Sequence, residues 1–358
     1  MRRVRAAAAA LLLTTCAVAS ARQQEGRISS YMSNGDGITG VGGLKVGHFT
    51  RTERPTGCTV ILAEAGAVAG VDVRGSAPGT IETDVLDPVN LVQQVHALFL
   101  SGGSAFGLDV ATGVRQFLYE RKVGFEVRGA RVPIVPGAII FDLNVGNRPD
   151  IWPTADCGYR AAVSASTGPV QEGNVGAGAG ATVGKTPGAG GPMKGGLGTA
   201  LIEVPAGSSV LKVGALIVVN AVGDVTDPRS GGLIAGVLTP DGTRMADARA
   251  LLRRGASAPP RAGQNTTVGI VATNARLTKA QATKIAQMAQ DGLARAIYPA
   301  HTMGDGDVVF ALATGEIDNS EVSRIGALAA DAVAEAIVRA VRAATSIPGV
   351  PAARDIKQ

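Results

Sequence analysis

Aromatic residues are scarce. Seven Phe, four Tyr and one Trp make up 3% of the 358 residues, and no basic run is interleaved with them. Stacking platforms set in cationic grooves are therefore missing, and nucleic-acid binding is not expected. Histidine is as thin: His48, His96 and His301 stand far apart, with no HExxH and no CxxC. A zinc site is not expected, nor is any other metal or cofactor. Cysteine is limited to Cys16, Cys58 and Cys157, too few for a disulfide-stapled secreted scaffold. Cys58 and Cys157 are read as buried thiols, with pairing in an oxidising compartment left open. The apolar stretch at residues 6–13 is too short to span a bilayer as a helix.

That stretch belongs instead to a targeting pattern. Arg2, Arg3 and Arg5 open the chain, residues 6–13 are apolar, and Ala19-Ser20-Ala21 is a small-x-small cleavage site. Residues 1–21 are expected to be a signal peptide directing the protein to the periplasm or outside the cell. Thr15 is bulky for the position before a lipidated cysteine, which disfavours lipidation at Cys16. The segment holds three Arg and no acid, so its removal takes the net charge from +5 to +2. The remaining chain is long and apolar enough to bury a large core, read as one folded domain.

Residues 22–42 are polar and Gly-rich and read as a flexible lead-in. Residues 58–63 and 67–73 read as strands, and 91–100 and 105–120 as helices. Residues 132–143, 201–204 and 213–220 are strand candidates. Residues 225–264 contain Pro228, Pro240, Pro259 and Pro260 and many Arg, and read as an exposed, mobile connection. The composition then changes at Thr266. The apolar run 268–272 reads as a strand. Thr278 with Gln281 forms a capping box that opens a helix, whose apolar face carries Ala282, Ile285, Ala286, Ala289, Leu293 and Ala296. Residues 308–312 read as a strand, and 319–344 as a long helix stopped by Pro348.

Several motifs fall short. Residues 179–186 have Ala179 where a P-loop requires Gly. The Gly176/Gly178/Gly180 run never completes GxGxxG. In Gly102-Gly103-Ser104-Ala105-Phe106-Gly107 the second Gly comes one residue late for a nucleophile elbow, and Ser104 reads as a helix cap. Asp305-Gly306-Asp307 lacks the further acids of a calcium loop.

Asn265-Thr266-Thr267 stands apart, because it places hydroxyl residues at the threshold of a strand deep inside the chain. If the Asn265–Thr266 bond breaks, Thr266 gains a free α-amine beside its own hydroxyl. That amine, with an ordinary pKa of roughly 7.7–8, is the base the hydroxyl needs. The same tripeptide is also a glycosylation sequon and an ordinary strand entry.

The surrounding residues resemble one family. They include Thr56-Gly57-Cys58-Thr59-Val60, Val71-Asp72-Val73-Arg74-Gly75, Ser101-Gly102-Gly103-Ser104-Ala105-Phe106-Gly107-Leu108, Gly173-Asn174-Val175-Gly176-Ala177-Gly178, Lys194-Gly195-Gly196-Leu197-Gly198-Thr199 and Asn220-Ala221-Val222-Gly223-Asp224-Val225. From about Gly40 to Ala344 the chain is similar to the self-processing β-aminopeptidase and L-aminopeptidase/D-esterase family, which includes the nylon-oligomer (6-aminohexanoate-oligomer) hydrolases. The resemblance implies an α/β fold: a four-layer αββα sandwich of the N-terminal-nucleophile type. It implies self-cleavage into a large chain (43–265 after the lead-in) and a small chain (266–358) that stay associated, often in higher oligomers. It also implies a small amide or peptide substrate. Thr266 matches the nucleophile, with Thr267 as the rival. Lys185 and Asn220 match an active-site lysine and asparagine, and Asp305 and Asp307 a pair of acids found in the nylon-oligomer branch. Phe141 stands at a substrate-contacting position where several relatives carry Tyr.

The chemistry asks for these residue types independently. Asn220 is a neutral donor for an oxyanion, and a lysine near the Thr266 amine disfavours its protonation. Asp305 and Asp307, two apart, would face one side of an extended strand. Taken alone, Asn220 and the acids read as turn residues and the lysines Lys185 and Lys194 as surface charges. Two other classes stay open: an acyltransferase on a related fold, like the ornithine acetyltransferases, and a non-catalytic exported binding protein.

Overall fold

The structure, a computed structural model, describes residues 35–187, 190–256, 264–318 and 321–356. The expected signal peptide and Cys16 lie outside the described residues. Eight strands carry the fold: β1 Lys45–Thr50, β2 Gly57–Val73, β3 Val95–Ser101, β4 Gly137–Ile139, β5 Gly196–Ala206, β6 Ser209–Asn220, β7 Thr266–Ala275 and β8 Val308–Ile317. The helices are α1 Val110–Glu120, α2 Ala155–Ser164, α3 Ala248–Arg253, α4 Lys279–Ala296 and α5 Val322–Ala343. Strand order is β5-β6-β7-β8-β2-β3-β4, with Thr80–Ile81 at the edge and β1 beside β2. The β7–β8 and β3–β4 pairs are parallel, and the other pairs among these strands are antiparallel.

Strand β2 makes this a sandwich. Its first half pairs with β1 and β3, and its second half with β8. Between them the register jumps from Leu62 to Ala67, and Gly66 takes φ +85°. Such a bulge bends a strand, so β2 passes from one sheet into the other. The two stretches read separately from the sequence are thus one bent strand.

Side-chain alternation fills three core layers. Leu216, Val218, Val268, Ile270, Val308, Phe310, Ile61, Leu98 and Leu100 pack together between the sheets. Their neighbours Ala215, Ile217, Val219, Val271, Val309 and Ala311 face the other way, onto α4 and α5. On the far side Val60, Leu62, Ala97 and Phe99 meet α1 and α2. The order is helices, sheet, sheet, helices, and the period of two along each strand dictates it. Helix α4 starts at the expected capping box, and the six apolar residues read from its sequence are buried. Among the described residues no helix is long and apolar enough to cross a membrane.

Some expectations are corrected. Residues 91–100 are not a helix; 95–101 form β3, every residue of it buried. A central strand packed on both faces loses its alternation and reads like any continuous apolar run. The end of the lead-in is packed: Ile38 and Val41 have no exposure, and the Ile38 amide donates to Thr199 Oγ1. The connection at 225–264 is largely built, with strands Asp224–Thr226 and Leu233–Ala235 and helix α3. Buried Asp224 holds it by accepting from the Val237 and Ala248 amides at 2.8 and 2.6 Å. Residues 257–263 of that stretch lie outside the described residues. Cys58 and Cys157 are not free thiols; they form a disulfide joining β2 to α2. Ser104 begins a 3-10 turn at φ +53°, and its side chain caps no helix.

Helix α5 crosses β5 over Gly198, where an added Cβ would lie 2.1 Å from the Ala336 carbonyl oxygen and 2.5 Å from the Ala340 nitrogen. Gly198→Val should therefore destabilise the fold by about 1–3 kcal/mol through overpacking. A lowered Tm in thermal unfolding would show it. Gly168→Ala, whose Cβ would meet only Ser166 Oγ at 3.6 Å, should leave the Tm unchanged.

Candidate active site

Strands β6 and β7 set the register of the site. Asn220, the last residue of β6, pairs with Thr266, the first of β7. Directly opposed residues share a face, so both side chains continue the row that packs between the sheets. Thr266 is 2% exposed and Asn220 has no exposure. The Thr266 hydroxyl donates to the Asn265 carbonyl oxygen at 2.5 Å. The Gly306 amide donates to that same oxygen at 2.9 Å.

The Asn220 side chain is fixed in one orientation. Its Oδ1 accepts from the Thr182 amide at 3.0 Å and from Lys185 Nζ at 2.9 Å. Its Nδ2 donates to the Phe141 carbonyl at 3.0 Å. An amide nitrogen carries two hydrogens; the second meets no partner among the described residues. The arrangement aims a buried neutral donor along the face that holds Thr266.

Lys185 follows the short strand Thr182–Val183, and its loop is pinned by amide bonds from Gly184 and Lys185 to the carbonyls of Gly223 and Val222. Nζ donates to Asn220 O at 2.9 Å and reaches Gln264 O at 3.4 Å. Desolvation pulls its pKa down to about 7, while the Asp305 carboxylate pulls the other way. Lys194 is not a surface charge. It is wholly buried and donates to the carbonyls of Gly178, Ala181 and Gly195, and burial lowers it also to about 7.

Asp305 and Asp307 lie before β8 rather than on it, and they hold different groups. Asp307 Oδ1 accepts from the Thr267 amide at 2.7 Å, and its Oδ2 from the backbone and ring nitrogens of His301, both at 2.9 Å. Asp305 accepts from the Thr302 amide and hydroxyl at 3.0 and 2.6 Å. Burial and the neighbouring Asp307 charge raise the pKa of Asp305. The rival Thr267 has a buried hydroxyl with no partner among the described residues. Phe141 contributes its carbonyl to this network and has no hydroxyl to offer. Among the described residues, no group of three or more His, Cys, Asp or Glu side chains could hold a metal ion.

The structure thus joins Thr266, Asn220, Lys185, Asp305, Asp307 and Phe141 in one network of contacts. It adds residues that the sequence did not single out. Thr182 orients Asn220, and Thr302 and His301 hold the two acids. Arg54 and Asp142, both with unexposed side chains, pair at 2.8 Å, and Asp142 follows Phe141 in the chain. No motif marks these residues; only proximity in the fold does.

The fold is a variant of the N-terminal-nucleophile hydrolase fold. The chain matches peptidase family S58 over residues 36–354 and belongs to that family. It is 42% identical to an uncharacterized aminopeptidase of Mycobacterium leprae, over 88% of this chain and 92% of that protein. It is 30% identical to the 6-aminohexanoate-oligomer endohydrolase of a Kocuria species, over 84% of each. Among solved structures, it is similar to the L-aminopeptidase D-Ala-esterase/amidase of Ochrobactrum anthropi, a variant of the Ntn hydrolase fold (TM-score 0.66, 21% identity, 88% of each chain). A β-aminopeptidase of a Burkholderia species is also similar (TM-score 0.62, 25% identity, 87% of this chain and 88% of that one).

The two buried lysines make a stability prediction. Both titrate near 7 in the folded protein and near 10.4 when unfolded. Between those values the unfolded chain binds more protons, so their contribution to stability rises with pH across about 7–10. Lys194→Met should lose part of that rise. Denaturant unfolding at pH 7 and pH 9.5 should show wild type gaining more stability than the variant over that interval. An equal gain in both would contradict the assignment.

Proposed function

We propose that the Asn265–Thr266 bond cleaves itself and that the freed Thr266 then hydrolyses small amides. The observation that carries this reading is the Thr266 hydroxyl at 2.5 Å from the Asn265 carbonyl oxygen, with the Gly306 amide on the same oxygen. The hydroxyl oxygen attacks the Asn265 carbonyl carbon. The Gly306 N–H stabilises the negative charge that develops on the carbonyl oxygen. The bond to the Thr266 nitrogen breaks as that nitrogen takes up the proton the hydroxyl has given up, which leaves an ester on the Thr266 oxygen. Water hydrolyses the ester, releasing Asn265 as a carboxylate and Thr266 as a free N-terminus.

The new amine then serves as the base for its own hydroxyl. Lys185, whose Nζ donates to Asn220, the strand partner of Thr266, disfavours protonation of that amine. A substrate carbonyl is attacked in turn, and Asn220 Nδ2 donates its free hydrogen to the oxyanion. The C–N bond breaks as the leaving nitrogen takes the proton held by the Thr266 amine, and water then hydrolyses the acyl ester on the Thr266 oxygen, releasing the acid and the free hydroxyl. Asp305 and Asp307 fix the strand entry on which Thr266 sits. The substrates proposed are amides of β- or D-amino acids and short 6-aminohexanoate oligomers. The family membership and the nylon-hydrolase relative support this substrate class.

The two chains would remain associated, because β7 lies between β6 and β8 and is hydrogen-bonded to both. We further propose export by the N-terminal segment and assembly of these heterodimers into oligomers.

Wild-type protein should appear under denaturing conditions as chains 22–265 and 266–358, the small one beginning Thr-Thr-Val by Edman sequencing. Thr266→Ala should stay whole. An active wild-type protein that remains a single chain would sink the proposal, and a small chain beginning Thr-Val would move the nucleophile to Thr267. Asn220→Ala should lower kcat by about 10²–10³-fold; steady-state kinetics with a chromogenic β-alanine amide gives the value, and a near-normal kcat would remove Asn220 from the oxyanion role.

A further inference from the structure

His301 is absorbed by no motif and no step above, yet it makes two of the three hydrogen bonds on the Asp307 carboxylate. Its backbone is at φ +58°, a region few residues with a side chain occupy and where His and Asn are enriched. That conformation turns its amide and its ring to the same point: both N and Nδ1 lie 2.9 Å from Asp307 Oδ2. The other carboxylate oxygen, 2.7 Å from the Thr267 amide, holds the residue next to the nucleophile. Asp307 is 2% exposed, so its partners decide its orientation. A carboxylate only accepts hydrogen bonds, so Nδ1 carries the ring proton. His301 Nε2 is buried and meets no partner among the described residues; the ring therefore works through Nδ1.

We propose that His301 is a positioning residue for amide hydrolysis: its Nδ1–H locks Asp307 so that Asp307 in turn fixes the Thr266–Thr267 backbone. The proposal rests on Thr266 as nucleophile. The ring touches no reacting atom. Its part is to remove the rotational freedom of the one carboxylate bonded beside the nucleophile. The neighbouring residue does the equivalent for the other acid, with the Thr302 amide and hydroxyl on Asp305 Oδ2. One turn thereby braces both acids, and consecutive amides of 301 and 302 are divided between them.

The test uses variants that suit a positive φ. Gly accepts it freely, and Asn can place a side-chain N–H where Nδ1–H lies. His301→Gly should fold, with kcat lowered about 10–100-fold, by analogy with the loss when the hydrogen-bonding partner of a metal-ligating side chain is removed. KM should change little, since the ring does not bind substrate. His301→Asn should recover most of kcat, and added imidazole should partly restore His301→Gly. In proton NMR the wild type should show a downfield ring N–H signal that is absent from His301→Gly and shifted in Asp307→Asn. A His301→Gly protein with wild-type kcat would overturn the proposal. So would equal losses in the Gly and Asn variants with no rescue by imidazole. Thr266→Ala, assayed alongside, separates the two readings: if it keeps activity the nucleophile is wrong, and if it is inactive while His301→Gly is unimpaired only the positioning role fails.

Discussion

The pairing of Asn220 with Thr266 at the ends of β6 and β7 is the constraint on which the site depends. Side chains alternate along a strand, so a slip of one residue would turn Thr266 toward α4 and α5 and bring Thr267 to the inner face. The register is held along the ladder by Val218 against Val268 and Leu216 against Ile270, residues of the inter-sheet core. The same face is continued on β8 by Val308 and Phe310. Hydrophobic packing between the sheets thus fixes which hydroxyl shares a face with the Asn220 side chain.

Around that pair the protein buries charge. Arg54 with Asp142, Lys185 with the Asn220 carbonyl, Lys194 with three carbonyls, and Asp305 beside Asp307 all lie in or next to the interior. Such groups contribute little net stability, since desolvation offsets the attraction. Their effect is geometric. Asp142 accepts from the Thr56 hydroxyl at 2.6 Å and the Gly103 amide at 2.8 Å, which fixes the segment whose Phe141 carbonyl holds Asn220. Lys194 ties together the turn that presents the Thr182 amide. A substitution at either place would leave the chemical groups intact and misdirect them.

How much of this was legible in the sequence follows from the range of each signal. The α4 capping box spans four residues and its apolar face repeats along one helix, and both are read directly. The αββα layering and the functional pattern of Thr266, Lys185 and Asn220 came from a family resemblance, not from periodicity. Full burial erases alternation along strand β3, so its sequence reads as a helix. The Pro and Arg content of the connection after Asp224 says nothing of the buried carboxylate that gathers it. The Cys58–Cys157 pairing, Thr182 on Asn220 and Arg54 on Asp142 join positions 99, 38 and 88 residues apart. No local pattern encodes such contacts; the packing of the layers creates them.

The proposed chemistry depends on Thr266 Oγ1 as the atom that carries the acyl group. Enzyme quenched in acid during turnover of a slow ester or amide, then digested and mapped by mass spectrometry, tests this directly. The acyl mass should sit on the hydroxyl of Thr266, on a peptide whose N-terminus is Thr266 itself. An acyl group on Thr267, on Ser104 or on a lysine, with Thr266 unmodified, would contradict it.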